Sequence, residues 1–81
     1  MIPRVTLYTR VGCHLCDDVK QVLTAARRRA AFELEEVDID ADPDLRALYN
    51  EEVPVVTING RKAFKYHVAP AAFLRALERR S

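Results

Sequence analysis

The chain has 81 residues, 49% of them apolar and 31% charged, with a formal net charge of +1 and a pI near 7.8. That size fits one small domain over residues 1–81, burying only about 60–65% of the surface its unfolded form exposes, and the composition excludes disorder. Near-neutral charge argues against nucleic acid or a membrane surface as partner, and no apolar run is long enough for a spanning helix.

The first residues, Met1-Ile2-Pro3-Arg4-Val5, lack the apolar core of a signal peptide, so a cytoplasmic location is expected. Val5-Thr6-Leu7-Tyr8-Thr9 is short and rich in β-branched and aromatic residues and reads as a strand. After Arg10-Val11-Gly12 the period changes. Leu15, Val19, Val22, Leu23 and Ala26 recur at helical spacing, which predicts a helix from about Cys13 to about Arg29. Asp17 and Asp18 then fall in its first turns and Arg27, Arg28 and Arg29 in its last, the polarity that the helix dipole favours.

Phe32, Leu34, Val37 and Ile39 alternate with acidic residues and predict a second strand. Asp42-Pro43-Asp44 opens a short helix, with Asp42 as N-cap, Pro43 at its first position, and Leu45, Leu48 and Tyr49 as its inward face. Val53-Pro54-Val55-Val56-Thr57-Ile58 reads as a third strand. Asn59-Gly60 is a hairpin signal leading into a fourth strand, Lys62–Tyr66. Pro70 starts a last helix that turns Phe73, Leu74 and Leu77 inward. The order β-α-β-α-β-β-α predicts an α/β fold, a mixed four-stranded sheet with three helices. Charge is segregated along it: residues 31–60 hold nine acidic and one basic side chain, and both flanking segments are basic. The simplest arrangement is an acidic strand and loop on one side and basic helix ends on the other.

The two cysteines, Cys13 and Cys16, lie too close together to staple a fold and need a chemical explanation. They sit where the first strand hands over to the first helix. A helix start offers unpaired N–H groups and the positive end of the dipole, so the Cys13 pKa should fall below the ~8.5 of a free cysteine. Arg10, three residues earlier, adds a positive charge nearby. Cys16, one turn on, is placed to resolve a mixed disulfide formed at Cys13, which is all that thiol–disulfide exchange requires. His14 reads as an exposed tuning residue. A structural zinc site needs four ligands, and His14 projects away from a site shared by both cysteines, so no metal site is expected within one chain. A non-enzymatic binding module, or a dimer sharing a metal or iron–sulfur cluster through the cysteines, is the competing reading. Pro54 has two readings of its own. It is a plain strand start, or a cis peptide at Val53-Pro54 that turns the Val53 N–H and C=O toward an incoming chain.

Three segments together, Thr9–Cys16, Glu36–Asp40 and Glu52–Val56, resemble the thioredoxin superfamily, and within it the small bacterial glutaredoxin-like proteins. The resemblance runs from Val5 to about Leu77. It implies a thioredoxin-like fold of glutaredoxin type, Cys13 as nucleophile, Cys16 as resolving thiol, and a cis Pro54. It also implies a basic Arg10 that lowers the thiol pKa or contacts glutathione. Implied partners are protein or small-molecule disulfides, with glutathione or a thioredoxin reductase as electron donor, no bound cofactor and a monomeric state. Two departures stand out. His14-Leu15 replaces the usual Pro-Tyr between the cysteines. Phe64, Lys65 and Val68 occupy positions where glutaredoxins carry a Gly-Gly pair and an acidic residue for glutathione. Phe64 and Lys65 are expected to crowd that approach, leaving Lys65 and Arg10 to attract the glutathione carboxylates.

Overall fold

Alternation along the first strand divides the protein into two layers. The computed structural model describes residues 2–80. Strand β1 (Arg4–Thr9) turns Val5 and Leu7 to one face of the sheet and Thr6 and Tyr8 to the other. It lies between β2 (Glu33–Asp38), which is parallel to it, and β3 (Val55–Ile58), which is antiparallel. Strand β4 (Arg61–Lys65) closes the order β2-β1-β3-β4. The sheet is therefore mixed, and with helices α1 (His14–Ala26), α2 (Pro43–Tyr49) and α3 (Pro70–Arg80) it has the expected order β-α-β-α-β-β-α.

The main core lies between the sheet and the α1–α3 pair. Val5, Leu7, Val56 and Ile58 of the sheet pack against Val19 and Leu23 of α1 and Phe73 and Leu77 of α3. Phe73 is fully buried and meets the ring of Phe32 edge-on, with centroids 5.3 Å apart. Full burial of such a side chain contributes about 1.5–3 kcal/mol. The opposite face is thinner. There Tyr8 packs on Tyr49 of α2 with centroids 4.8 Å apart, and Lys62 lies over the same Tyr49 ring. Thr6 and Thr57 are buried on this face, and burial pushes the Tyr8 hydroxyl pKa up from its ordinary value.

Several boundaries differ from the sequence expectation. Helix α1 ends at Ala26, because the N–H groups of Arg28 and Arg29 reach back to the Ala25 and Ala26 carbonyls and tighten the chain into a turn. Arg27–Arg29 thus follow the helix rather than form its last turn. Strand β2 ends at Asp38, whose carboxylate accepts from the Asp40 N–H at 2.9 Å and opens a short 3-10 turn, Ile39–Ala41. Strand β3 starts at Val55 rather than Val53, and β4 runs one residue earlier at both ends. Leu15 lies on the exposed side of α1, and buried Cys16 takes its place in the apolar stripe. Leu48 is 61% exposed, since the two turns of α2 touch the sheet through Tyr49 and leave Leu48 facing outward.

The local signals for the turns hold. Asp42 caps α2 by accepting from the Asp44 N–H at 2.9 Å, with Pro43 at the first position. Asn59 and Gly60 both adopt positive φ, 52° and 85°, the pairing that a two-residue hairpin with the right twist demands. Asn59 Oδ1 also accepts from the Arg4 N–H at 2.9 Å, which fastens the hairpin to the start of β1. Among the described residues, no helix is long and apolar enough to cross a membrane.

Candidate active site

The strand register brings three chain segments to one end of the sheet. Tyr8 is paired with Val55, and Val55 with Lys65. The residues after β1, before β3 and after β4 therefore leave the sheet side by side. They are Arg10–Cys16, Val53–Pro54 and Tyr66–Val68.

The cysteine loop is built as a tight turn running into a helix. The Cys13 N–H donates to the Arg10 carbonyl at 3.2 Å, closing a four-residue turn. Gly12 occupies it with φ +83°, a left-handed conformation that residues with a Cβ avoid. A Cβ at Gly12 would meet nothing within 4 Å, so glycine is required there by backbone conformation and not by space. Cys13 has extended backbone and is the N-cap of α1. Its Sγ accepts a hydrogen bond from the Cys16 N–H at 3.1 Å, one of the orphan donors of the helix start. Cys13 and Cys16 form a disulfide, with Cα atoms 5.2 Å apart. Cys13 is half-buried and Cys16 is 2% exposed, so one sulfur faces the surface and its partner the interior.

The second segment lies beside this one. The Val53-Pro54 peptide is cis, as the family resemblance implies and against the plain strand-start reading. Pro54 is buried, and its carbonyl accepts from the Tyr66 N–H at 2.8 Å. Among the described residues, the Val53 N–H and C=O engage no hydrogen-bond partner. His14 is exposed at the first position of α1. Val11, Leu15 and Tyr66 place exposed apolar surface around the cysteines, Val11 at 86% exposure.

Arg10 is held elsewhere than its place in the sequence suggests. Its Nε and Nη2 donate to the two Asp40 carboxylate oxygens at 3.0 and 2.9 Å. Its Nη1 donates to the Asn50 carbonyl at 3.2 Å, at the C-cap of α2. The hydrogen bonds with Asp40 push the arginine up from its ordinary pKa and the Asp40 carboxyl down. The positive charge next to the cysteine turn is thus paired with a carboxylate. Asp17, in the first turn of α1, adds an exposed negative charge on the same side.

The residues proposed to crowd a glutathione approach divide between core and surface. Phe64 points to the main core, its ring 6.4 Å from that of Phe73, and Val68 is buried in the same cluster. Phe64 does not crowd the approach, because the bulge in β4 sets it opposite Val56 on the core face. Lys65 remains at the surface, over the Tyr66 ring and 3.8 Å from Glu52. Three site-end residues escape sequence reasoning: Asp40, Asn50 and Tyr66. Tyr66 reads as the end of a strand, yet it has φ +69° and turns away after Lys65. Among the described residues, no group of three or more Cys, His, Asp or Glu is placed to hold a metal ion.

Comparison with known proteins agrees with this architecture. The family described as "Glutaredoxin-like domain (DUF836)" matches residues 4–78. An uncharacterized protein of Mycobacterium tuberculosis is 34% identical over 65 residues, covering 74% of this chain and 67% of its own. A Nitrosomonas europaea protein of known solution structure superposes with a TM-score of 0.81 at 28% identity, over 94% of this chain and 92% of that one. A protein of X. campestris solved by X-ray reaches 0.79 at 33% identity, over 93% and 96%. Chloroplastic thioredoxin z, at 14% identity and a TM-score of 0.79 over 96% of this chain and 77% of its own, shares the fold.

Proposed function

The chain belongs to the glutaredoxin-like domain family, and from that premise we propose that it is a thiol–disulfide oxidoreductase working through Cys13 and Cys16. One observation carries the reading. The surface-facing sulfur of Cys13 sits at the N-cap of α1 and receives the Cys16 N–H at 3.1 Å, with Cys16 buried behind it. In the reduced protein, the same N–H and the helix dipole stabilise a Cys13 thiolate and lower its pKa below the ~8.5 of a free cysteine.

The reaction follows. The Cys13 thiolate attacks one sulfur of a substrate disulfide, forming a mixed disulfide and expelling the first substrate thiolate. Cys16 then loses its proton and attacks Cys13. The second substrate thiolate leaves, both thiolates take up protons, and the Cys13–Cys16 disulfide is restored. Two electrons have passed from the protein to the substrate. Val53 supplies an unpaired N–H and C=O next to buried Pro54, suited to a short stretch of extended chain. The apolar rim of Val11, Leu15 and Tyr66 suits a protein disulfide. The protein acts as a monomeric reductant in the cytoplasm, recharged by glutathione or by a thioredoxin reductase, with no bound cofactor.

The experiment is turnover of one protein disulfide with either glutathione and its reductase or a thioredoxin reductase as donor. Alkylation of Cys13 by iodoacetamide is followed against pH alongside it. Turnover with one donor, together with an alkylation transition below that of free cysteine, is the expected result. A transition at or above the free value with no turnover from either donor overturns the reading.

A further inference from the structure

We infer that Asp40 is a positioning residue that withholds the Arg10 charge from the disulfide site, setting the protein against anionic small disulfides and toward neutral or cationic ones. This deepens the disulfide-exchange reading and rests on it. Arg10 and Cys13 are the two ends of one hydrogen-bonded turn, whose end Cα atoms lie within about 7 Å of each other. An arginine so placed has the reach to attract an anion arriving at Cys13. Here its guanidinium already makes four hydrogen bonds, two to Asp40 at 2.9 and 3.0 Å, one to the Asn50 carbonyl at 3.2 Å and a longer one to Asn50 Oδ1 at 3.4 Å. A two-point guanidinium–carboxylate pair fixes the plane of the arginine as well as its charge.

The surroundings do not replace the lost cation. A recess of about 380 Å³ beside the turn is lined by Arg10, Gly12, Asp17, Glu36 and Asp38, among others. Lys20 compensates Glu36 at 3.3 Å. Among the described residues, neither Asp17 nor Asp38 forms a salt bridge, and Arg10 itself feels the Asp38 charge as well as its Asp40 partner, so an anionic substrate enters a field that opposes it.

Three small disulfides of similar size separate the charge from the chemistry: cystamine (cationic), bis(2-hydroxyethyl) disulfide (neutral) and dithiodipropionate (anionic). Pre-reduced protein is mixed with each at low ionic strength, and second-order rates of Cys13–Cys16 oxidation are read by acid quench and mass. The native protein should react with the anionic disulfide about three- to tenfold more slowly than with the neutral one, and added salt should shrink the gap. Asp40→Asn should raise the anionic rate about fivefold, leave the neutral rate within about twofold, and move Cys13 alkylation to lower pH. Asp40→Glu, which keeps the carboxylate, should restore the native preference. If Asp40→Asn folds but leaves the charge preference and the alkylation profile unchanged, or raises all three rates alike, Asp40 is merely structural and the inference is overturned. If the native protein oxidises with none of the three disulfides, the exchange reading itself fails and this inference falls with it.

Discussion

At the scale of single residues, the site is a small number of backbone decisions. Gly12 is required by its φ of +83° and not by crowding. Gly12→Ala should therefore destabilise the fold by about 1–2 kcal/mol in chemical denaturation, and Gly12→Asn by less. Equal stability of Gly12→Ala and native protein would contradict this. Acid sensitivity is also set locally. Hydrogen bonds from Arg10 hold the Asp40 carboxyl below its ordinary range, and those from Lys62 do the same for Glu52. Each group protonates less readily folded than unfolded. Its stabilisation is complete above the unfolded values of about 3.9 and 4.3 and is lost as pH falls through the lower folded values. Thermal midpoints should thus hold near neutral pH and fall below about pH 4, with a shallower fall for Asp40→Asn with Glu52→Gln. A decline beginning above about pH 6 would point to other groups.

At the scale of elements, the legible features are those written in neighbouring residues. Asp42-Pro43 specifies a helix start, Asn59-Gly60 a hairpin, and the apolar period of α1 the face that meets the sheet. Asp42→Ala should cost about 1 kcal/mol through the lost bond to the Asp44 N–H. Phe73→Ala should cost about 3–5 kcal/mol, because the ring is fully buried between Phe32 and Phe64. Urea titrations of both variants check the two values. What the sequence conceals are pairings across distance. Asp40 and Asn50 lie 30 and 40 residues from Arg10, and no local period reports that one guanidinium holds both. The same holds for Phe64. The family resemblance matches it to a glycine at the glutathione approach, but strand alternation and a bulge send it to the core. Leu48 fails for the converse reason, since a two-turn helix has too little buried face for every apolar residue it carries.

At the scale of the whole molecule, the near-zero net charge conceals an ordered polarity. Acidic β2 and basic β4 are the two edges of the sheet, separated by the apolar pair β1 and β3. Charged edges discourage strand-to-strand association between molecules. Both edges also leave the cysteine end open, where the three segments converge. The two cysteines, too close to brace the fold, face surface and interior in the order that exchange chemistry requires. The central claim is that Cys13 attacks and Cys16 resolves. It is tested most directly by mixing reduced Cys16→Ser and Cys13→Ser variants with a protein disulfide and locating any trapped mixed disulfide by mass spectrometry. The Cys16→Ser variant should accumulate substrate on Cys13, while Cys13→Ser should capture almost none through buried Cys16. Capture at Cys16, or equal capture by both variants, would contradict the account.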